Sequence, residues 1–283
     1  MDFTPEQKDI VRRLSYGADL FQCYFYRDSC FNKQFEDNYQ AVICFVQNYA
    51  YERQGAAPAY PKIAVKALKN RFNQKIESIT IVDAEEVWND YLKIAKTEFN
   101  DLSVNRTHNP MSFDNGVLKV MVYRDVANLA THIKKMIQSN RTKNAHEIVK
   151  NIRGIGTKIA SLYLRDIAYL GKIPENQIES KHYLQPVDTW IEQTLSIIFG
   201  DEKPTTLMEK QRIIVDLCET ANVSSIAFSQ GAWMFGSQIA GDYLTFQQLA
   251  IGKNARAIIE EHIEEKRRYV SDAERWLQQL PGL

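Results

Sequence analysis

Apolar side chains recur three and four residues apart through almost the whole chain, and that spacing decides the fold class. In Ala145, Ile148, Val149 and Ile152 they fall at i, i+3, i+4 and i+7, the mark of a helix with one buried face. The same stripe predicts helices over 5–26, 38–54, 61–73, 84–99, 125–138, 157–170, 187–199, 206–221, 226–240 and 254–279. Only Gly116–Tyr123 (GVLKVMVY) reads as a short strand, and it reads equally well as the opening of the next helix. No internal repeat and no linker rich in Pro, Gly or Ser breaks the pattern. The expectation is an all-α fold.

At 283 residues the chain is at the size where one core stops growing, which predicts two packed helical subdomains. A charged fraction of 25% with a hydrophobic fraction of 45% excludes a disordered or fibrous chain. No apolar window is long enough to cross a membrane, and the start, MDFTPEQKDIVRRL, reads as a capped helix rather than a leader. Cys23, Cys30, Cys44 and Cys218 form no CxxC pair and no Cys/His cluster, so they read as buried free thiols in a reducing compartment. Five histidines show no HxxxH or HExxH spacing. The chain is therefore expected to be intracellular (cytoplasmic and nucleoid-associated in a prokaryote), monomeric, and without metal, iron–sulfur cluster or other cofactor.

Formal charge is zero, 35 Lys and Arg against 35 Asp and Glu, but it is unevenly spread. Residues 61–76 carry Lys62, Lys66, Lys69, Arg71 and Lys75 with no acid, and 77–101 hold seven acids against two lysines. Residues 132–172 hold nine Lys and Arg against two acids. A neutral total thus conceals two basic segments. A basic run is usually only a solvated face, but it leaves room for a polyanionic partner.

The stretch Asn144–Leu170, NAHEIVKNIRGIGTKIASLYLRDIAYL, reads as helix, tight turn, helix. Gly154 and Gly156 flank Ile155 in the turn, so backbone N–H groups stay uncovered there while Ile155 plugs the hairpin. Bare amides at a helix start cradle a phosphate oxygen, which is how such a hairpin grips a DNA backbone without reading sequence. The spacing fits neither GxxxxGK[ST] nor GxGxxG, since one residue separates the glycines and Ile159 stands at the third glycine's place. The plainer alternative is a helix end followed by another helix. Backbone contacts are expected from Arg153, Gly154, Gly156 and Thr157, with Arg141 and Lys143 just upstream.

Thirty residues beyond Lys158 comes Pro186-Val187-Asp188-Thr189-Trp190, where an apolar helix begins. With Gly154-Ile155-Gly156-Thr157-Lys158-Ile159-Ala160 this resembles the helix-hairpin-helix (HhH-GPD) DNA glycosylase superfamily, which joins such a hairpin to a Gly/Pro-rich loop and an aspartate. Trp190 stands where His is common in that motif. Ala160–Asp166 and the long gap to Asp188 are most like the 8-oxoguanine glycosylase/lyases of the small archaeal type. Weaker likeness extends to Ala41–Gln47 and to Phe228–Gly236, so it covers about residues 38–240.

The resemblance implies a glycosylase with abasic-site lyase activity on double-stranded DNA, excising an oxidised base, with 8-oxoguanine leading. Alternatives are a glycosylase for another damaged or modified base, a non-catalytic hairpin protein that binds DNA without cleaving it, and a helical interaction module with no nucleic acid. It implies a central domain over 38–165 and a second made of 1–37 with 166–283, Lys158 and Asp188 facing each other across the cleft between them. Excision leaves positive charge at C1′, which the Asp188 carboxylate would stabilise and the Lys158 amine would capture. Plainer roles are a phosphate contact for Lys158 and a helix cap for Asp188. Gln47 is the candidate wedge, and Trp190, Gln230, Trp233 and Phe235 are candidates for the base pocket, core packing on helix 226–240 being the favoured role of the two last. Zero net charge implies few phosphate contacts, and weak binding to undamaged DNA that is lost early as salt rises.

Overall fold

Caps and glycines divide the apolar stripe into more helices than its length alone indicates. In the computed structural model, which describes residues 2–51, 58–99, 102–105 and 107–279, α1 (Pro5–Ser15) opens on a reciprocal cap between Thr4 and Gln7. It stops before Gly17, so the predicted helix 5–26 is two, with α2 at Ala18–Phe25. Next come α3 (Ser29–Lys33) and α4 (Asn38–Phe45), which runs into a π-helical turn, Val46–Ala50. The predicted helix 38–54 lies outside the described residues beyond Tyr51. Then follow α5 (Ala59–Phe72), α6 (Ile81–Thr97), α7 (Val117–Tyr123), α8 (Leu129–Gln138), α9 (Thr142–Lys150) and α10 (Thr157–Leu170). The remainder is α11 (Thr189–Phe199), α12 (Leu207–Ala221), α13 (Ser225–Trp233), a π-helical turn (Met234–Ala240), α14 (Tyr243–Ile251) and α15 (Ala255–Gln279).

No strand occurs among the described residues, and the chain is all-α. The Gly116–Tyr123 segment is a short helix of its own, separated from α8 by residues 124–128. Its apolar run is explained by burial of Val117, Leu118, Val120 and Met121, which a helix places on one side.

Contacts divide the chain into a terminal unit, Met1–Gln22 with Val187–Leu283, and a central unit, Cys23–Pro186. The boundaries fall at 22/23 and 186/187 rather than at 37/38 and 165/166. The reason is packing: α3 seats on α4, and the short 3-10 turn Lys181–Leu184 seats on α9 and α10.

In the terminal unit, Val11, Leu14, Leu195, Ile214, Leu217, Phe228 and Phe246 form one buried cluster, each contributing about 1.5–3 kcal/mol. There α1 crosses α13 backbone against backbone: a Cβ on Gly231 would stand 1.9 Å from the Leu14 carbonyl oxygen. Over the described side chains of α15, Ala255–Arg275, none is buried. Three of the thiols, Cys30, Cys44 and Cys218, are free and buried as expected, whereas Cys23 is free and exposed.

In the central unit α10 is enclosed on several sides. Ala160, Tyr163, Leu164 and Ile167 are fully buried, and the Phe45 and Tyr49 rings meet Tyr163 edge-on at 5.0 and 4.9 Å. Arg165 and Asp166 are buried too. Arg165 Nε donates to Asp166 Oδ1 at 2.8 Å, and the carboxylate also accepts from the Tyr26 and Tyr49 hydroxyls at 2.6 and 2.9 Å. One of the nine cations counted in 132–172 is therefore interior. Basic α5 is partly neutralised, since Arg71 pairs with Asp83 and Glu86, and Lys66 with Glu98, all on or just after α6.

Candidate functional site

The turn between α9 and α10 holds its two glycines for different reasons. Gly154 has φ +79°, and a Cβ there would sit 2.3 Å from the His108 carbonyl oxygen, so both conformation and space demand glycine. Gly156 has φ −97° and ψ 176°, which any residue adopts, and a Cβ there would meet nothing within 4 Å. The protein's own packing gives no reason for glycine at 156. Ile155 is buried, as the plug of the hairpin should be.

Gly156 is also the N-cap of α10 and brings no capping side chain. The N–H groups of Gly154, Gly156 and Thr157 have no acceptor among the described residues. Gly154 and Gly156 are exposed. Uncapped amides at a helix start carry partial positive charge outward. Lys158 is exposed in the first turn of α10, directly after these amides.

Arg153 turns away from that role. Its backbone N–H donates to Asn115 O at 2.7 Å, and its guanidinium donates to the carbonyls of Asp114 and Thr107 at 3.0 and 3.2 Å. It ties the loop before α7 to the turn and so fixes the His108 carbonyl over Gly154. Behind the turn, His146 on α9 is buried, its Nε2 lying 3.4 Å from Thr157 O and its ring 5.2 Å from Tyr183. Burial holds the His146 imidazole below its ordinary range, against the pull of Thr157 O and Glu147.

Arg141 and Lys143 are exposed but sit at the opposite end of α9 from the glycines. A nine-residue helix spans about 13 Å, so the turn and these two cations form separate surfaces.

Lys158 belongs to the central unit and Asp188 to the terminal one. Asp188 is half-buried and caps α11, its Oδ1 accepting from the Ile191 N–H at 2.9 Å. Trp190, one turn into α11, is half-buried with its ring 5.2 Å from Phe246. A Cβ on Gly236 would lie 2.1 Å from Trp190 Cδ2, so the indole occupies the space that Gly236 leaves. Gln230 is fully buried, its Oε1 accepting from Gln22 Nε2 at 3.0 Å. Trp233 meets Phe21 edge-on at 5.9 Å, and Phe235 packs beside Gly17. These four candidates thus share the terminal unit with its core, while Gln47 is exposed on the π-helical turn after α4 in the central unit.

No family model, no curated protein and no solved structure matches this chain. Among the described residues no group of His, Cys, Asp and Glu is disposed to hold a metal, and no helix is long and apolar enough to cross a membrane.

The sequence reading passed over Arg124, His132 and Tyr123. Arg124 and His132 line a groove of about 420 Å³ together with Arg141 and Lys143. His132 belongs to no HxxxH or HExxH spacing. Its relevant signal was the cluster of cations around it, which emerges only when α7, α8 and α9 pack.

Proposed function

We propose that the chain is a DNA glycosylase with abasic-site lyase activity, acting on an oxidised base, with 8-oxoguanine as the leading substrate. The observation that carries this reading is Gly156: an exposed glycine that the fold itself does not require, among amides without acceptors, two residues before an exposed lysine. A phosphate oxygen approaching those amides supplies the missing reason, because a side chain at 156 would stand in its way. The hairpin then acts as a helix-hairpin-helix grip that positions duplex DNA without reading its sequence.

In this reading the target nucleotide is flipped out of the stack. As the N-glycosidic bond breaks, the base departs with the bonding pair and positive charge spreads over C1′ and the ring oxygen. The Asp188 carboxylate stabilises that charge. Lys158 Nζ in its neutral form bonds to C1′; the C1′–O4′ bond then breaks, O4′ leaving as a hydroxyl with a proton the amine gives up, and the opened sugar is held as a protonated imine, C1′=N. Loss of a C2′ proton from the imine expels the 3′ phosphate, and water releases the lysine from the cleaved sugar. The resemblance of the two sequence motifs supports these roles.

The test is incubation with an 8-oxoguanine duplex, resolving intact, base-excised and β-eliminated strands, with borohydride trapping of the imine. Wild type is expected to trap and Lys158→Ala to lose the adduct. If Lys158→Ala traps as well as wild type, the assignment fails. Binding without any strand cleavage, unchanged by Asp188→Asn, would instead identify a non-catalytic DNA-binding hairpin.

A further inference from the structure

A second surface of the central unit has the make-up of a nucleic-acid site; its cations lie at the far end of α9 from the glycines, and its lining runs along α9 to Asn151 and Asn115 beside the turn. Between α7, α8 and the length of α9 runs a groove of about 420 Å³, with Arg124, His132, Arg141 and Lys143 on its walls and Met136 and Ile148 among its apolar lining. A second hollow of about 310 Å³ shares Arg124, Ile148 and Asn151 with it and adds Tyr123. Together they make one trough along α9.

The charges in the trough are uncompensated. Among the described residues Arg124, Arg141 and Lys143 make no ion pair. The one acid in the lining, Glu147, lies 3.6 Å from Lys150 and 3.8 Å from His146 Nδ1. Holding three cations together without an anion costs folding energy, which a bound anion relieves. The lining is not that of a site for a bare anion, however. Tyr123 is 67% exposed with the Lys119 ammonium 5.7 Å from its ring, and the almost fully buried Met136 and Ile148 close the floor. Cations interleaved with an aromatic face and an apolar floor suit a chain that is phosphate on one side and base on the other. A duplex keeps its base faces covered; a single strand presents them.

We propose that the trough along α9 binds a few nucleotides of single-stranded nucleic acid, with Arg124, Arg141 and Lys143 on successive phosphates and a base stacked on Tyr123. The inference does not rest on base excision or on Lys158. His132 reports occupancy. Burial, then Arg141, Arg124 and Lys135, keep its imidazole below the ordinary range. Glu147 is the acid that shares the groove and Lys143 the remaining cation. A phosphate placed among these groups reverses the dominant field, so binding draws a proton onto His132.

The experiment is fluorescence anisotropy of an undamaged oligothymidylate on the full chain, repeated over a salt series, for wild type and an Arg124→Ala/Arg141→Ala/Lys143→Ala variant. Removing three phosphate contacts is expected to flatten the slope of log K against log salt by about two. Tyr123→Ala is expected to weaken binding about tenfold at every salt concentration with the slope unchanged. In wild type, NMR titration of His132 is expected to show its pKa rising when the oligonucleotide is added. An unchanged slope in the triple variant, or a His132 titration that does not move, overturns the proposal. So does competition by pyrophosphate or thymidine monophosphate as effective as the oligonucleotide, which would make the trough a small-anion site. A chain that excises no base but shows these effects keeps this inference and loses the glycosylase reading; active excision with none of them does the reverse.

Discussion

Replacing each turn glycine by alanine separates what the fold needs from what a ligand needs. At Gly154 the new Cβ meets the His108 carbonyl oxygen at 2.3 Å in a backbone with φ +79°. The left-handed conformation costs about 1–2 kcal/mol and the overlap about 1–3 more. At about 2–4 °C per kcal/mol for a unit of this size, Gly154→Ala should melt roughly 5–15 °C lower. At Gly156 the φ is −97° and the space is open. Alanine restricts the unfolded chain by about 0.4–1 kcal/mol and is a poorer N-cap by a similar amount. Gly156→Ala should therefore melt within about 3 °C of wild type.

Duplex affinity should follow the opposite order relative to stability. The Gly156 methyl sits where a phosphate oxygen would approach amides that have no acceptor of their own. Losing one such charge-assisted hydrogen bond costs about 1.5–3 kcal/mol, tenfold or more in affinity. The assays are a circular-dichroism melt and anisotropy with a labelled undamaged duplex at low salt. A Gly156→Ala protein that binds like wild type refutes the phosphate cradle. One that melts as low as Gly154→Ala refutes the claim that the fold leaves position 156 open.

Two other outcomes rest on buried polar groups. Asp166→Ala removes the carboxylate that Arg165 Nε and two tyrosine hydroxyls donate to, at a fully buried position; urea unfolding should show a loss of about 3–5 kcal/mol, and a loss under 1 kcal/mol would show that the network is dispensable. Burial keeps the folded-state pKa of His146 below its ordinary 6.5, so as pH falls through that value the unfolded chain takes up the proton first. Stability should therefore drop from about pH 6.5 downward, with hydrogen exchange rising first at the α9–α10 contact. His146→Gln should make that slope shallower, the remainder coming from His132 and His262, which are also held low, and an equal slope in the variant would locate the acid sensitivity elsewhere.

The helices were legible because each buries a stripe, and the hairpin because two glycines around one isoleucine have few other uses. Helix ends were less so. Gly17 ends α1 in a stripe that continues through it, and only the α1–α13 crossing shows why. Arg165 and Asp166 enter the charge count of 132–172, yet neither is on a solvated face, because α10 is covered on several sides. Arg141 and Lys143 read as part of the hairpin because they are close to it in sequence, yet α9 carries them to its far end. Trp190 read as a departure at a pocket wall; its indole fills the space left by Gly236, a fact about two positions forty-six residues apart. In each case the missing information is which element lies opposite.

The zero net charge takes on a definite meaning once the pairs are drawn. The cations Lys66 and Arg71 are matched by acids on or after α6, Arg165 by Asp166, and the Arg153 guanidinium is held by loop carbonyls. At the glycine turn the donors are neutral amides, and Lys158 is the exposed cation beside them. Amides release no counterions when they bind phosphate, whereas each lysine or arginine contact adds about 0.9 to the duplex salt slope. Binding of undamaged duplex through this turn should therefore be weak with a slope of only about −1 to −2. Lys158→Ala should flatten it by about one further unit, and Gly156→Ala should lower affinity without touching the slope. A measured slope of about −5 or steeper would require several cations besides Lys158 to contact the duplex, the unpaired ones of the trough first among them, and the separation of a neutral grip from a charged trough would then be wrong.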